Sequence, residues 1–294
     1  MSAVTLTSAS LTASASASFD LGGFGRNLAA AAGAALAVML VAFAVGLAKG
    51  VHRIVDVAWG IAFAAVAVTS WFLSEGHGDA TRRLAVTLAT CLWGLRLAAH
   101  IARRGRGHGE DPRYARMLAR APGSPALYAL RKVYLLQGAL VWLVSLPVQA
   151  ACYLGEGVEP LLVLGLAVWA AGVAFEAIGD HQLAAFKSDP ANRGRVMDRG
   201  LWSWTRHPNY FGDFLVWWGL YLTACASLPS AALTVVSPLV MSGLLIWGSG
   251  KRLLEAHMAD RPGFAAYRAR TSGFFPRPPK PAPDPDPSGT GAGR

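Results

Sequence analysis

The sequence predicts an all-α, polytopic integral membrane protein of about seven transmembrane helices. Three observations carry this: hydrophobic residues make up 53% of the chain against 15% charged, mean hydropathy is +0.37, and the apolar residues are gathered into long runs. Those runs are roughly 17 to 25 residues, the length that crosses about 30 Å of hydrocarbon. A soluble domain carries about 25% charged residues, so the bilayer is the expected solvent.

Spans are predicted in order at about 27–47, 54–73, 84–101, 133–154, 161–178, 213–226 and 231–247. The first lies between Arg26 and Lys49, and the second follows Arg53 and carries one carboxylate, Asp56. The third lies between Arg83 and the Arg103, Arg104, Arg106 cluster; the fourth follows Arg131 and Lys132. Between the fourth and fifth, residues 155–160 carry no positive charge, whereas Lys187, Arg193, Arg195, Arg199 and Arg206 lie between the fifth and sixth. Lys251, Arg252, Arg261, Arg268 and Arg270 follow the seventh. Seven crossings put all the basic loops on one side, so the positive-inside rule predicts an inner-membrane protein of a bacterial cell with its N-terminus outside and its C-terminus cytoplasmic.

The formal charge of +10 is explained by those loops and not by a nucleic-acid surface. Residues 1–26, rich in Ser and Ala, are expected to be disordered, 27–275 to form the membrane domain, and 276–294, with seven prolines between 276 and 287, to form a disordered, solvated tail. Cys91, Cys152 and Cys225 fall in predicted spans without the spacing of a metal knuckle, and are read as buried thiols. The seven histidines include no HxxxH or HxxE pair, so no metal is expected.

The segment 176–213 concentrates polar, charged and aromatic side chains between two membrane helices, which implies a site at the cytosolic boundary. In Arg206-His207-Pro208-Asn209-Tyr210, the proline costs no hydrogen bond at a first turn and leaves a helix start able to face a phosphate or carboxylate. The alternative is that Arg206 and His207 snorkel beside an aromatic belt. Glu176 and Asp180, Asn209 and Asp213, and Lys251 and Glu255 are each four residues apart at helix ends, so they can face one pocket or form an internal ion-pair network. Asp56 is an isolated carboxylate sharing its face with Trp59, and Trp93, Arg96 and His100 form a stripe on the third span. No GxGxxG or P-loop is present, so a nucleotide would bind among helices.

The stretches DVAWG from Asp56, WGLRLAAHIARRGRGHGEDPRY from Trp93, FEAIGDHQL from Phe175, TRHPNYFGD from Thr205 and SGKRLLEAHM from Ser249 resemble the DUF1295 membrane family, related to the steroid 5-alpha-reductases. The resemblance covers about residues 51–276. It implies a seven-helix fold and an NADPH-dependent reductase of a carbon-carbon double bond in a lipid or steroid-like substrate. It further implies that Asp180, Arg195, Asn209 and Asp213, and less closely Lys187, Glu255 and Lys251, hold the cofactor; Arg206, His207 and Tyr210 at the helix start are expected to join them, Trp59, Trp93 and Arg96 to contact substrate, and Asp56 to serve as a substitute catalytic acid. The Gln-Glu pair and the third-helix tyrosine of the steroid enzymes are absent; Asp56 and Trp93 occupy that region. The RHPNY segment followed by a glutamate-bearing helix also resembles the isoprenylcysteine and phospholipid methyltransferases. Under that reading His207, Asn209, Tyr210 and Glu255 would contact S-adenosylmethionine. A non-catalytic lipid-binding or transport protein is the third expectation.

Overall fold

A computed structural model describes residues 20–155, 159–248 and 250–280. In chain order its helices are α1 Leu21–Lys49, α2 Ile54–Leu73, α3 Ala80–Gly105, α4 Pro112–Ala119, α5 Pro125–Ala129, α6 Leu136–Val144, α7 Leu146–Ala151, α8 Pro160–Ser188, α9 Leu201–Trp204, α10 Pro208–Thr223, α11 Leu228–Thr234, α12 Val236–Ile246, α13 Lys251–Met258 and α14 Phe264–Arg270. A π-helical turn, Leu130–Leu135, joins α5 to α6. The described residues hold no β-strand, only a parallel bridge between Thr205 and Ser272. The chain is an α-helical integral membrane protein.

Six helices or helix runs are long and apolar enough to cross a membrane: α1, α2, α3, Pro125–Val144, α8 and the run Leu228–Met258. The predicted span at 213–226 falls largely in α10, which has 16 residues and is about 24 Å long at about 1.5 Å per residue. Its partner explains how so short a helix sits in the bundle. Gly165, Gly172 and Gly179 of α8 face α10, where Gly212 and Gly219 face back. A Cβ on Gly172 would stand 2.6 Å from the Gly212 carbonyl oxygen, and one on Gly219 would stand 2.5 Å from the Trp169 amide. This is the small-residue packing that lets membrane helices approach backbone to backbone. Gly60 and Gly94 play the same part where α2 crosses α3.

The basic segments gather at one end of the bundle. There Glu110 accepts hydrogen bonds from the amides of His52, at 2.5 Å, and Arg53, at 2.9 Å, so its carboxylate meets the positive end of α2. Arg116 of α4 reaches His257 of α13 at 2.9 Å. At the opposite end Asp20 pairs with His77 at 3.0 Å and buried Arg82 with Glu159 at 3.3 Å.

Both tail boundaries shift from expectation. Helix α1 begins at Leu21, so 21–26 is helical in spite of its three glycines. Phe24 is buried edge-on against Tyr153 and the Asp20–His77 pair anchors the start. At the other terminus, the amides of Arg277 and Lys280 donate to the carbonyls of Trp204 and Arg270, each at 3.0 Å, so 276–280 lies against the body and is not free chain. Residues 1–19 and 281–294, the rest of the two predicted tails, lie outside the described residues. Cys152 is buried as expected, but Cys91 and Cys225 are only half-buried.

Candidate functional site

A buried polar cluster inside the bundle joins α3 and α8 and packs against α10. Arg96 pairs with Glu176 and, at 3.2 Å, with Asp180; His100 stands 3.7 Å from Asp180. The Trp93 indole donates to Glu176 at 2.9 Å and packs against Phe63 and Trp217. Glu176 and Asp180 are both buried, so Arg96 supplies the counter-charge that carboxylates at this depth require. Trp93 is fully enclosed and lines neither of the two large cavities described next, nor does Arg96 or Asp180. These residues frame the site from behind.

The first cavity, about 490 Å³, lies between the end of α8, the loop 188–197 and helices α13 and α14. Lys187, Arg195, Arg206, His207 and Glu255, five of the predicted cofactor residues, line it together with Arg193, Arg261 and Trp202. Its cations fall into two groups. Arg206 is committed: its Nε donates to Glu255 at 3.0 Å and its Nη1 to the carbonyls of Arg268 at 3.1 Å and Thr271 at 2.5 Å. It therefore does not snorkel to solvent but ties the loop before α10 to α13 and α14. Lys187, Arg193, Arg195 and Arg261 line the cavity, are exposed, and make no side-chain hydrogen bond or ion pair among the described residues. A further cavity of about 370 Å³ shares Phe186, Arg195, Val196 and Tyr267 with the first and adds Arg199 and Arg270.

The second cavity, about 530 Å³, lies among α2, α3, α4, α6, α10 and α12. Asp56 and Trp59 line it, and so do Tyr210 and Asp213, which were expected on the cofactor but do not line the first cavity; Met117, Leu136, Leu140, Met241, Leu244 and Leu245 form apolar walls. Asp56 is not isolated. Tyr114 of α4 donates to its Oδ1 at 2.6 Å, Arg113 reaches Oδ2 at 3.3 Å, and Gln137 stands 3.5 Å from the tyrosine oxygen. Burial, followed by the neighbouring Asp56 charge, pushes the Tyr114 hydroxyl well above the ordinary phenol range, so it stays a proton donor.

His207 lines the first cavity and Tyr210 the second. Their rings stack with centroids 5.3 Å apart and planes within 3°. One aromatic pair at the start of α10 therefore separates a basic cavity from an apolar one. His207 is buried, with Nε2 3.0 Å from Glu255; burial lowers its affinity for a proton against the pull of that carboxylate. Asn209 is half-buried and makes no side-chain hydrogen bond among the described residues; neither it nor Lys251, both expected on the cofactor, lines either cavity.

Tyr114 is the cavity residue that sequence reasoning did not single out; Gln137, readable in the sequence only as an isolated amide on the fourth span, joins it at 3.5 Å. Tyr114 is 58 residues from Asp56 and sits on a short basic helix between predicted spans. The available signal was the run EDPRY, in which Asp111 caps a helix that opens on Pro112 and so fixes which way Tyr114 faces.

Fold and site together define a class: a helical membrane protein with two cavities back to back at the basic end of its bundle. The chain belongs to the DUF1295 family, described as a protein of unknown function, which matches residues 42–271. It is 27% identical over 252 residues to Uncharacterized protein C594.04c of Schizosaccharomyces pombe, covering 76% of this chain and 72% of that one. It is 36% identical over 59 residues, 20% of each chain, to the Probable O-methyltransferase ustE of Ustilaginoidea virens. No solved structure matches.

Proposed function

We propose that this protein is a membrane-embedded, NADPH-dependent reductase of a carbon-carbon double bond conjugated to a carbonyl in a lipid. The observation that carries the reading is the pair of cavities divided by the His207–Tyr210 stack: unpaired cations line one side, and a tyrosine–aspartate dyad set in apolar walls lines the other. The donor set of the first cavity suits a dinucleotide. Lys187, Arg193, Arg195 and Arg261 would hold its phosphates through charge-assisted hydrogen bonds. NADPH would supply hydride to the β-carbon of the alkene, becoming NADP⁺, and a proton from the medium would complete the α-carbon. The chain's own part is electrostatic: the single Tyr114 O–H, which donates to Asp56 in the second cavity, would turn to the carbonyl oxygen of a bound substrate, where enolate charge develops, leaving Asp56 to Arg113. Arg113 keeps Asp56 in place, and the apolar walls exclude water. The basic end is proposed to face the cytoplasm of a bacterial cell, with the N-terminus outside.

Detergent-purified protein titrated with NADPH and, separately, with S-adenosylmethionine tests the reading. Saturable NADPH binding that weakens in Lys187→Glu and in Arg195→Glu supports it; NADPH binding indifferent to both variants rejects the proposed pocket. A methyltransferase is the second reading, favoured by the 59-residue similarity to the ustE protein. Binding of S-adenosylmethionine alone would select it.

A further inference from the structure

The walls of the second cavity are not closed all round. At the far end of the bundle α12 and α6 are joined, since the Ser237 hydroxyl donates to the Val144 carbonyl. Toward the basic end both helices line the cavity, through Leu136 and Leu140 on one and Leu244 on the other. Leu136 lines the cavity and is 53% exposed, within a membrane-crossing run. A cavity-lining side chain that is also exposed marks where the cavity opens, as a slot between α6 and α12 within the membrane-crossing length of the chain.

Lys132 stands at the mouth of that slot, one turn before Leu136, within the π-helical turn Leu130–Leu135. π-helical turns are rare and gather at functional sites. The Tyr134 hydroxyl lies 3.0 Å from the His52 ring at the start of α2, so this turn is level with the membrane boundary and with Asp56. The other cation lining the cavity, Arg113, is bound to Asp56 and Asp111. Lys132 is exposed and makes no hydrogen bond or ion pair among the described residues. An unpaired ammonium beside an apolar slot at the membrane surface matches one chemistry, an anionic head on a single hydrocarbon chain.

We propose that the slot between α6 and α12 admits a single-chain amphiphile from the bilayer, with its carboxylate or phosphate head held by Lys132 and its chain between Leu136, Leu140 and Leu244. This deepens the substrate half of the reductase reading, and it puts the polar end of the ligand at the depth of the Asp56–Tyr114 dyad. A volume of about 530 Å³ lies inside the range of about 300–1,000 Å³ typical of small-molecule sites.

The test is displacement of a fluorescent long-chain fatty acid from the full chain in detergent, with no cofactor present. Competitors are the unlabelled acid, its methyl ester and an alkyl phosphate of equal length, so that the two head chemistries are read separately. Expected is displacement by the acid or the phosphate at concentrations at least about tenfold below the ester, a difference of about 1.4 kcal/mol. That preference should vanish in Lys132→Gln and return in Lys132→Arg, while Leu136→Trp, which fills the slot, should weaken acid and ester alike. Equal displacement by acid and ester in the unaltered protein, or a preference that survives Lys132→Gln, would overturn the proposal. Charge-dependent fatty-acid binding without any NADPH binding would leave this site standing and remove the reductase; NADPH-dependent reduction of neutral lipids unaffected by Lys132→Gln would do the reverse.

Discussion

Replacing Gly172 by alanine probes the contact on which the position of the site depends. The new Cβ would lie 2.6 Å from the Gly212 carbonyl oxygen, 2.7 Å from the Val216 amide and 2.9 Å from the Leu215 Cβ. Ordinary contact begins at 3.4 Å; two of the three neighbours are backbone and cannot rotate away. Helices α8 and α10 must part by about 0.8 Å, the difference between 3.4 and 2.6 Å, and overpacking of this kind costs about 1–3 kcal/mol. Alanine regains about 1 kcal/mol of helix propensity, so a loss of about 2 kcal/mol is expected, taking the upper end of the overpacking range because backbone cannot yield. Gly33 of α1 provides the control, since a Cβ there meets nothing within 4 Å and alanine should gain about 1 kcal/mol. The assay is unfolding in detergent, following the fraction of monodisperse protein after graded heating. Gly172→Ala should melt below the parent and Gly33→Ala at or above it. If the two variants melt together, the tight α8–α10 seam is not what holds α10 in the bundle.

Three further outcomes are expected. Arg96→Met strands buried Glu176 and Asp180 and should cost about 3–5 kcal/mol; adding Glu176→Gln and Asp180→Asn should recover most of the loss in the same melting assay. Because burial holds the His207 proton affinity below its ordinary pKa of 6.5, the folded chain takes up fewer protons than the unfolded one in mild acid. The contribution of His207 to stability is therefore complete above pH 6.5 and declines as pH falls toward the folded value, and melting temperatures across that range should fall less steeply in His207→Gln. Tyr114→Phe removes the donor 2.6 Å from Asp56 and should lower lipid-dependent NADPH oxidation by about 10²–10⁴, the usual worth of a positioned acid, with NADPH affinity retained; unchanged turnover would reduce Tyr114 to a packing role.

Hydrophobic run length was enough to read the membrane class and most crossings, because a segment in hydrocarbon must satisfy its backbone internally and its length is set by the bilayer. The polar segment 176–213 stood out in the sequence as a candidate site, since charges next to membrane helices are costly; of its predicted residues Lys187, Arg195, Arg206, His207, Tyr210 and Asp213 line the two cavities, and Asp180 and Asn209 do not. Only the tertiary structure decided which groups work together. Arg206 and Glu255 are 49 residues apart, and Tyr114 and Asp56 are 58 apart. Composition at one position carries no information about a partner brought beside it by helix packing. The helix α4 that delivers Tyr114 is too short and too basic for a hydropathy signal, and α10 is placed among the spanning helices by the close approach of glycine backbones and not by its own length. Spans follow from what the solvent permits residue by residue; the site follows from where packed helices bring distant side chains together.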